Sequence, residues 1–244
     1  MKSIYLKEIS SFFSNLTGYF VLIIFLLLTS LFMWVFSETS ILSYNYASLG
    51  QLFSIGPIVF MFLIPAITMQ SFAEEKQKQT LEFLMTKPIT DIEIILGKYL
   101  ASATLVLFAL LPTLIYYYSV YQLGSPIGNI DNGGVIGSYI GLFLLGAVFV
   151  SIGIFVSSLT SNQIVSFIVS TFLCFCFFWA FDFISNLSAF YGKTDSIIKS
   201  LGIAFHYDNI SKGRIDSKDV IYFFSLIIFF LYLTSLSLGR RNKV

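Results

Sequence analysis

One stretch of this chain carries a dense block of mixed charge between apolar runs. Glu74, Glu75, Lys76, Lys78, Glu82, Asp91, Glu93 and Lys98 fall within residues 72–99, FAEEKQKQTLEFLMTKPITDIEIILGKY, between two apolar runs of membrane length. Their types suit ion pairing, helix capping and docking to a partner. Other reactive residues are sparse. Cys174 and Cys176 lie one residue apart in an apolar run, on different faces of a helix, and read as inert thiols without disulfide or metal spacing. His206 is the sole histidine and reads as a satisfied loop residue. Asp182 stands at the end of an apolar run, where a water-facing helix terminus explains it. The sequence contains no Gly-x-x-x-x-Gly-Lys-Ser/Thr phosphate loop, no Gly-x-Ser-x-Gly, no His/Cys cluster and no paired acids inside an apolar run. The chain is therefore expected to be no enzyme and to hold no cofactor or metal of its own.

The order of residues in the charged stretch predicts its local structure. A charge near the centre of a bilayer costs about 2.5–3.5 kcal/mol even on the lenient insertion scale, so the chain must reach water at about Glu74. Thr80 to Met85 are good helix formers with Leu81, Leu84 and Met85 on one side, and Pro88 disfavours helical geometry at Lys87 and stops the helix. Thr90-Asp91-Ile92-Glu93 fits a capping box that starts the next helix. A short helix, a hard corner and a freshly capped helix follow from this pattern. Two readings of the corner stay open on these residues: a solvated loop that only holds topology, or a rigid helix that docks into a partner and passes on force.

The elements that must position this corner are membrane spans. The chain of 244 residues is 57% hydrophobic and 18% aromatic but only 11% charged, more apolar surface than one water-soluble core can bury. The expected fold class is an all-α integral membrane protein forming a single domain over residues 1–244. A net charge of +1 gives nucleic acid no electrostatic hold. Residues 1–15 carry Tyr5, Ile9, Phe12 and Phe13 at helical spacing, with Glu8, Ser11 and Ser14 elsewhere, and predict an amphipathic helix in the membrane interface. Lys7 and Glu8 argue against burying it. Spans are expected at about 16–36, 51–72, 99–121, 135–158, 164–183 and 220–239, each near the ~20 residues that cross the hydrocarbon. The first apolar run is long enough to span and lacks a cleavage pattern, so it is expected to stay as an anchor.

Details along the spans sharpen the picture. Pro57 and Pro65 in the second span and Pro112 in the third mark kinks. Tyr116, Tyr117, Tyr118 and Tyr121 crowd the end of the third span and read as an interfacial aromatic belt in preference to a sugar platform. Gly137, Gly141, Gly146 and Gly153 recur along the fourth span and permit close helix approach. Residues 157–163 are just long enough for a tight hairpin. Residues 185–218 form the longest polar segment, with a short interfacial helix expected over 194–201. Nine Lys and Arg residues fall on the side of the termini and the corner and five on the other, a bias that places both termini in the cytoplasm.

The run "acidic pair, basic residue, Thr-Leu-Glu, Leu-Met-Thr, Pro, Ile, acidic residues, Gly-Lys-Tyr-Leu-Ala" between the second and third spans resembles the cytoplasmic loop of permease subunits in the ABC-2 (type V ABC exporter) superfamily. The matching positions are Glu74, Glu75, Lys76, Thr80, Leu81, Glu82, Pro88, Glu93, Gly97 and Lys98. The family commonly has Gly just before Thr-Leu-Glu, where this sequence has Gln79. The resemblance implies six transmembrane helices with an N-terminal elbow helix, and makes residues 73–98 a cytoplasmic coupling loop with a short coupling helix. It implies a permease subunit in a bacterial plasma (inner) membrane that couples ATP hydrolysis in a separate ABC ATPase, which holds ATP and Mg, to substrate export. A second permease copy or a related permease would complete the path. In length and lack of a large outer domain the chain most resembles the gliding-motility-associated ABC permeases of Bacteroidetes, which implies an auxiliary membrane subunit. The alternatives are a non-transporting envelope scaffold and a channel or secondary carrier that works alone.

Overall fold

The computed structural model describes residues 1–44, 46–82, 89–187 and 193–239, and the regular structure among them is all helical. Helix α1 (Lys2–Ser14) is followed after Asn15 by α2 (Leu16–Ser30), which continues as a π-helical turn over Leu31–Val35. A short α3 (Ile41–Tyr44) leads to α4 (Gly50–Thr68) and α5 (Gln70–Gln77), and these two together make one span. Then come α6 (Asp91–Leu110), a 3₁₀ turn at Pro112 and α7 (Leu114–Leu123), again one span. Helix α8 (Asn132–Leu159) and α9 (Gln163–Phe175) form the next hairpin, and α9 passes through a π turn, Cys176–Ala180, into α10 (Phe181–Ser185). Two short helices, α11 (Lys193–Lys199) and α12 (Ile203–Ser211), precede the last span, α13 (Ser217–Gly239). Among the described residues six helices are long and apolar enough to cross a membrane.

The bundle is built around α8, which packs against α4, α6, α9, α12 and α13. In its most apolar stretch 83% of residues are buried, against 22% in the first, fifth and sixth spans. Those three spans therefore present most of their side chains outward, as helices facing lipid must. The α8 contact with α4 depends on Gly153, where an added Cβ would stand 1.9 Å from Thr68 Oγ1 and 2.8 Å from Thr68 Cβ. One turn further along α8, the buried Ser157 hydroxyl accepts hydrogen bonds from the Phe72 and Ala73 amides, 3.0 Å each, and donates to the Met69 carbonyl at 3.0 Å. A side chain inserted into a helical ladder is a recognised cause of a helix break, and the change from α4 to α5 lies here, four residues after Pro65.

This packing corrects one sequence expectation, for His206, and adds partners at two other places. Tyr116 and Tyr117 fasten helices: the Tyr116 hydroxyl donates to the Leu26 carbonyl at 3.1 Å and lies 2.6 Å from Ser30 Oγ, and Tyr117 donates to Asn132 Oδ1 at 2.8 Å. His206 sits in α12, a helix where a loop was expected. It is buried, with Nδ1 2.6 Å from Asp219 Oδ1, Nε2 2.8 Å from the Ser200 carbonyl oxygen and the Tyr222 ring stacked on it at 3.8 Å. Asp182 faces water at the end of the fifth span, as expected, and is also ion-paired with Lys199 at 3.2 Å.

Candidate functional site

The site begins with α1, which lies along α6 with Ile4, Glu8 and Phe12 one turn apart on the same face. Ile4 and Phe12 are buried, and the Glu8 side chain, 14% exposed, is turned inward with them. Helix α1 stays separate from the first span, with the break at Asn15, while Glu8 finds a partner inside the protein. Gly97 eases the close approach of the two helices, since a Cβ there would lie 3.0 Å from Ile4 Cβ and Cγ2. Tyr5 Oη and Thr104 Oγ1, 3.2 Å apart, hold the same contact further along.

The partner of Glu8 is Lys98, one residue beyond Gly97 and only 2% exposed. Its ammonium donates to Glu8 Oε1 at 2.8 Å and to the Ser71 carbonyl at 2.7 Å, and it pairs with Glu75 Oε1 at 3.0 Å. The Phe72 ring lies 5.1 Å from it. Removing such an ion from water costs several kcal/mol, which only close, well-directed partners offset. Here all three donor positions have such partners or an aromatic face nearby. Lys7 reaches Glu75 Oε1 at 3.3 Å from the exposed side, so Lys7, Glu8, Glu75 and Lys98 together are neutral. Glu75 Oε2 is buried and has no hydrogen-bond partner among the described residues.

The outer rim of the corner follows. Lys78 pairs with Glu74 at 2.5 Å, and Lys76 donates to the Ser158 carbonyl at the end of α8. Ser237 of α13 donates to the same carbonyl at 3.1 Å, so the corner is joined to the fourth and sixth spans as well. Gln79 has φ +55°, the left-handed conformation glycine adopts freely, so the turn before Thr80 forms with a side chain in place. The Thr80 amide then donates to the Glu75 carbonyl at 2.9 Å, Leu81 is buried and Glu82 is exposed. Residues 83–88, with Pro88 and the expected end of the coupling helix, lie outside the described residues. Thr90 and Glu93 close the capping box: the Thr90 amide donates to Glu93 Oε2 at 3.3 Å and the Glu93 amide to Thr90 Oγ1 at 3.4 Å.

The structure therefore brings Glu75, Lys76, Gly97 and Lys98 into one joint between α1, α5, α6 and the end of α8. Glu74, Thr80 and Glu82 stand on its rim, and Leu81 packs beneath. Sequence reasoning missed Lys7, Glu8 and Ser71 as members. The signal for Glu8 was its place between Ile4 and Phe12 at four-residue spacing. A cavity of about 220 Å³ opens between α1 and α5, lined among others by Ser11, Asn15, Gln70, Glu74 and Lys78. Such a joint ties the corner to α1 and α6.

The sequence profile described as ABC-2 family transporter protein matches residues 33–228, most of the chain, including the corner and four complete spans. The chain belongs to the ABC-2 transporter family. No curated protein matches it. This ABC-2 protein is thus a multi-pass membrane protein, the membrane-embedded component of a transporter, and membership implies association with an ABC ATPase. The joint just described sits in the part of the permease that the sequence likeness singled out, between the second and third spans.

Proposed function

We propose that this chain is the permease subunit of an ATP-driven exporter and that the corner around Glu74–Glu82 is where the ATPase acts on it. In this reading both termini and the corner face the cytoplasm of a bacterial inner membrane, and ATP and Mg are held by the ATPase. The observation that carries it is the buried Lys98 cluster, which joins α1, α5 and α6 so that a push on the rim is delivered to the third span. Glu74, Glu75, Lys76, Thr80, Leu81, Glu82, Pro88, Glu93, Gly97 and Lys98 are assigned to this coupling, with Glu82 exposed for contact and Lys98 as the internal fastener. Two six-span permease subunits form the path between them. Service in gliding motility, with an auxiliary membrane subunit, is the finer role that the overall likeness supports. Glu82→Lys is expected to abolish stimulation of the partner ATPase while the chain still inserts and folds. Unchanged coupling in that variant would favour an envelope scaffold, and flux through the purified chain alone would favour a channel or carrier.

A further inference from the structure

At the end of the bundle opposite the corner, a cavity of about 460 Å³ opens between α4, the π turn of the fifth span and α12. That volume lies in the range of small-molecule sites. Phe53, Phe178, Trp179 and Phe205, on three different elements, line it beside polar residues such as Ser54, Asp182 and Asp208. Phe178 and Trp179 are contributed by the π turn Cys176–Ala180, a helix irregularity found frequently at functional sites. The roof, α12, is firmly seated. The Tyr207 hydroxyl donates to the Phe53 carbonyl at 2.6 Å, Ser138 Oγ to the Ser211 carbonyl at 2.9 Å, and His206 is held by Asp219 and Ser200. The cavity therefore has an anchored roof and is open on one side.

Its charges are unequal. Asp182 is paired with Lys199 at 3.2 Å, whereas the Asp208 carboxylate, exposed to the cavity, makes no hydrogen bond or ion pair with the described residues. Loss of surrounding water pushes the Asp208 pKa up; Lys212 and Lys199 pull against this through space and Asp182 adds to it. A cation placed between Asp208 and the rings would satisfy the carboxylate and gain attraction from the aromatic faces. An anion would meet two carboxylates and a lysine that is already paired.

We propose that this chamber binds amphipathic ammonium compounds, the head at Asp208 and the apolar tail along Trp179 and Phe205. The inference stands on the cavity alone and is independent of the ATPase reading. Because the chain has two tryptophans, Trp34→Phe leaves Trp179 as sole reporter inside the cavity. This variant, in nanodiscs of zwitterionic lipid without any ATPase, is titrated with octyltrimethylammonium, octyl sulfate and octyl glucoside while Trp179 emission is followed. The ammonium compound is expected to give a saturable change at about ten-fold lower concentration than the other two. Adding Asp208→Asn should remove most of that preference, and adding Asp195→Asn, outside the cavity, should leave it. Equal responses to the three compounds would mean partitioning into lipid and would overturn the proposal. So would a preference that survives Asp208→Asn. The comparison among compounds is made with Asp208 intact, so it decides the matter even if Asp208→Asn fails to fold.

Discussion

Lys98 Nζ lies 2.8 Å from Glu8 Oε1, a contact between two residues 90 positions apart that closes the interface helix onto the start of the third span. Lys98 is buried and Glu8 largely so, and Glu75 completes the group from the end of the second span. Lys98→Met should leave two largely buried carboxylates without their main counter-charge, at a cost of up to about 3–5 kcal/mol. Thermal unfolding in detergent is expected to fall accordingly. Adding Glu8→Gln and Glu75→Gln to Lys98→Met should recover much of the loss, because the buried charges are then gone together.

Gln79 offers a test of opposite sign. A residue with a Cβ pays about 1–2 kcal/mol to hold the left-handed conformation observed there, at φ +55°. Gln79→Gly should be stabilising or neutral in the same unfolding measurement, and Gln79→Val destabilising. Equal melting of both variants would show that the turn does not depend on this residue.

The contact of the second and fourth spans can be probed at Gly153. With Thr68 Oγ1 1.9 Å from the position of an added Cβ, Gly153→Ala must push α8 and α4 apart. Overpacking of this kind costs about 1–3 kcal/mol. Thr68→Ala on the same background removes the hydroxyl and should restore part of the stability, although Thr68 Cβ, at 2.8 Å, remains.

At the opposite end, Asp219→Ala removes the acceptor for His206 Nδ1 and leaves a buried ring nitrogen unpaired, a loss of about 1–3 kcal/mol. Amide hydrogen exchange should accelerate in Ile203–Ser211, while the amides of α1 and α5 keep their protection. Faster exchange at both ends would mean that the roof helix and the corner unfold as one unit.

The six spans and the capping box were legible because each depends on local sequence: long apolar runs for the spans, and Thr90 and Glu93 at a fixed offset for the cap. The joint was not, because its central residue carries the wrong label for hydropathy. A lysine such as Lys98 marks the edge of a span when residues are taken one at a time, and only tertiary contact with Glu8 and Glu75 makes its burial tolerable. Helix α12 was hidden differently. Its buried residues Ile203, Tyr207 and Ile210 are spaced four and three apart, a helical pattern, but they lie in a polar segment and span barely two turns. The likeness to the permease superfamily pointed to Lys98 and Gly97 without saying why; the structure supplies the reasons, a buried ion cluster for one and the seat of Ile4 for the other.

The account stands or falls on what touches the corner. A photo-crosslinking amino acid at Glu82, exposed on the rim, and another at Asn129, at the opposite end, can be irradiated in cells and the captured partners identified by mass spectrometry. The account predicts that Glu82 captures a phosphate-loop ATPase and that Asn129 does not. Capture of that ATPase from Asn129, or of none from Glu82 in a complex that still hydrolyses ATP, would contradict it.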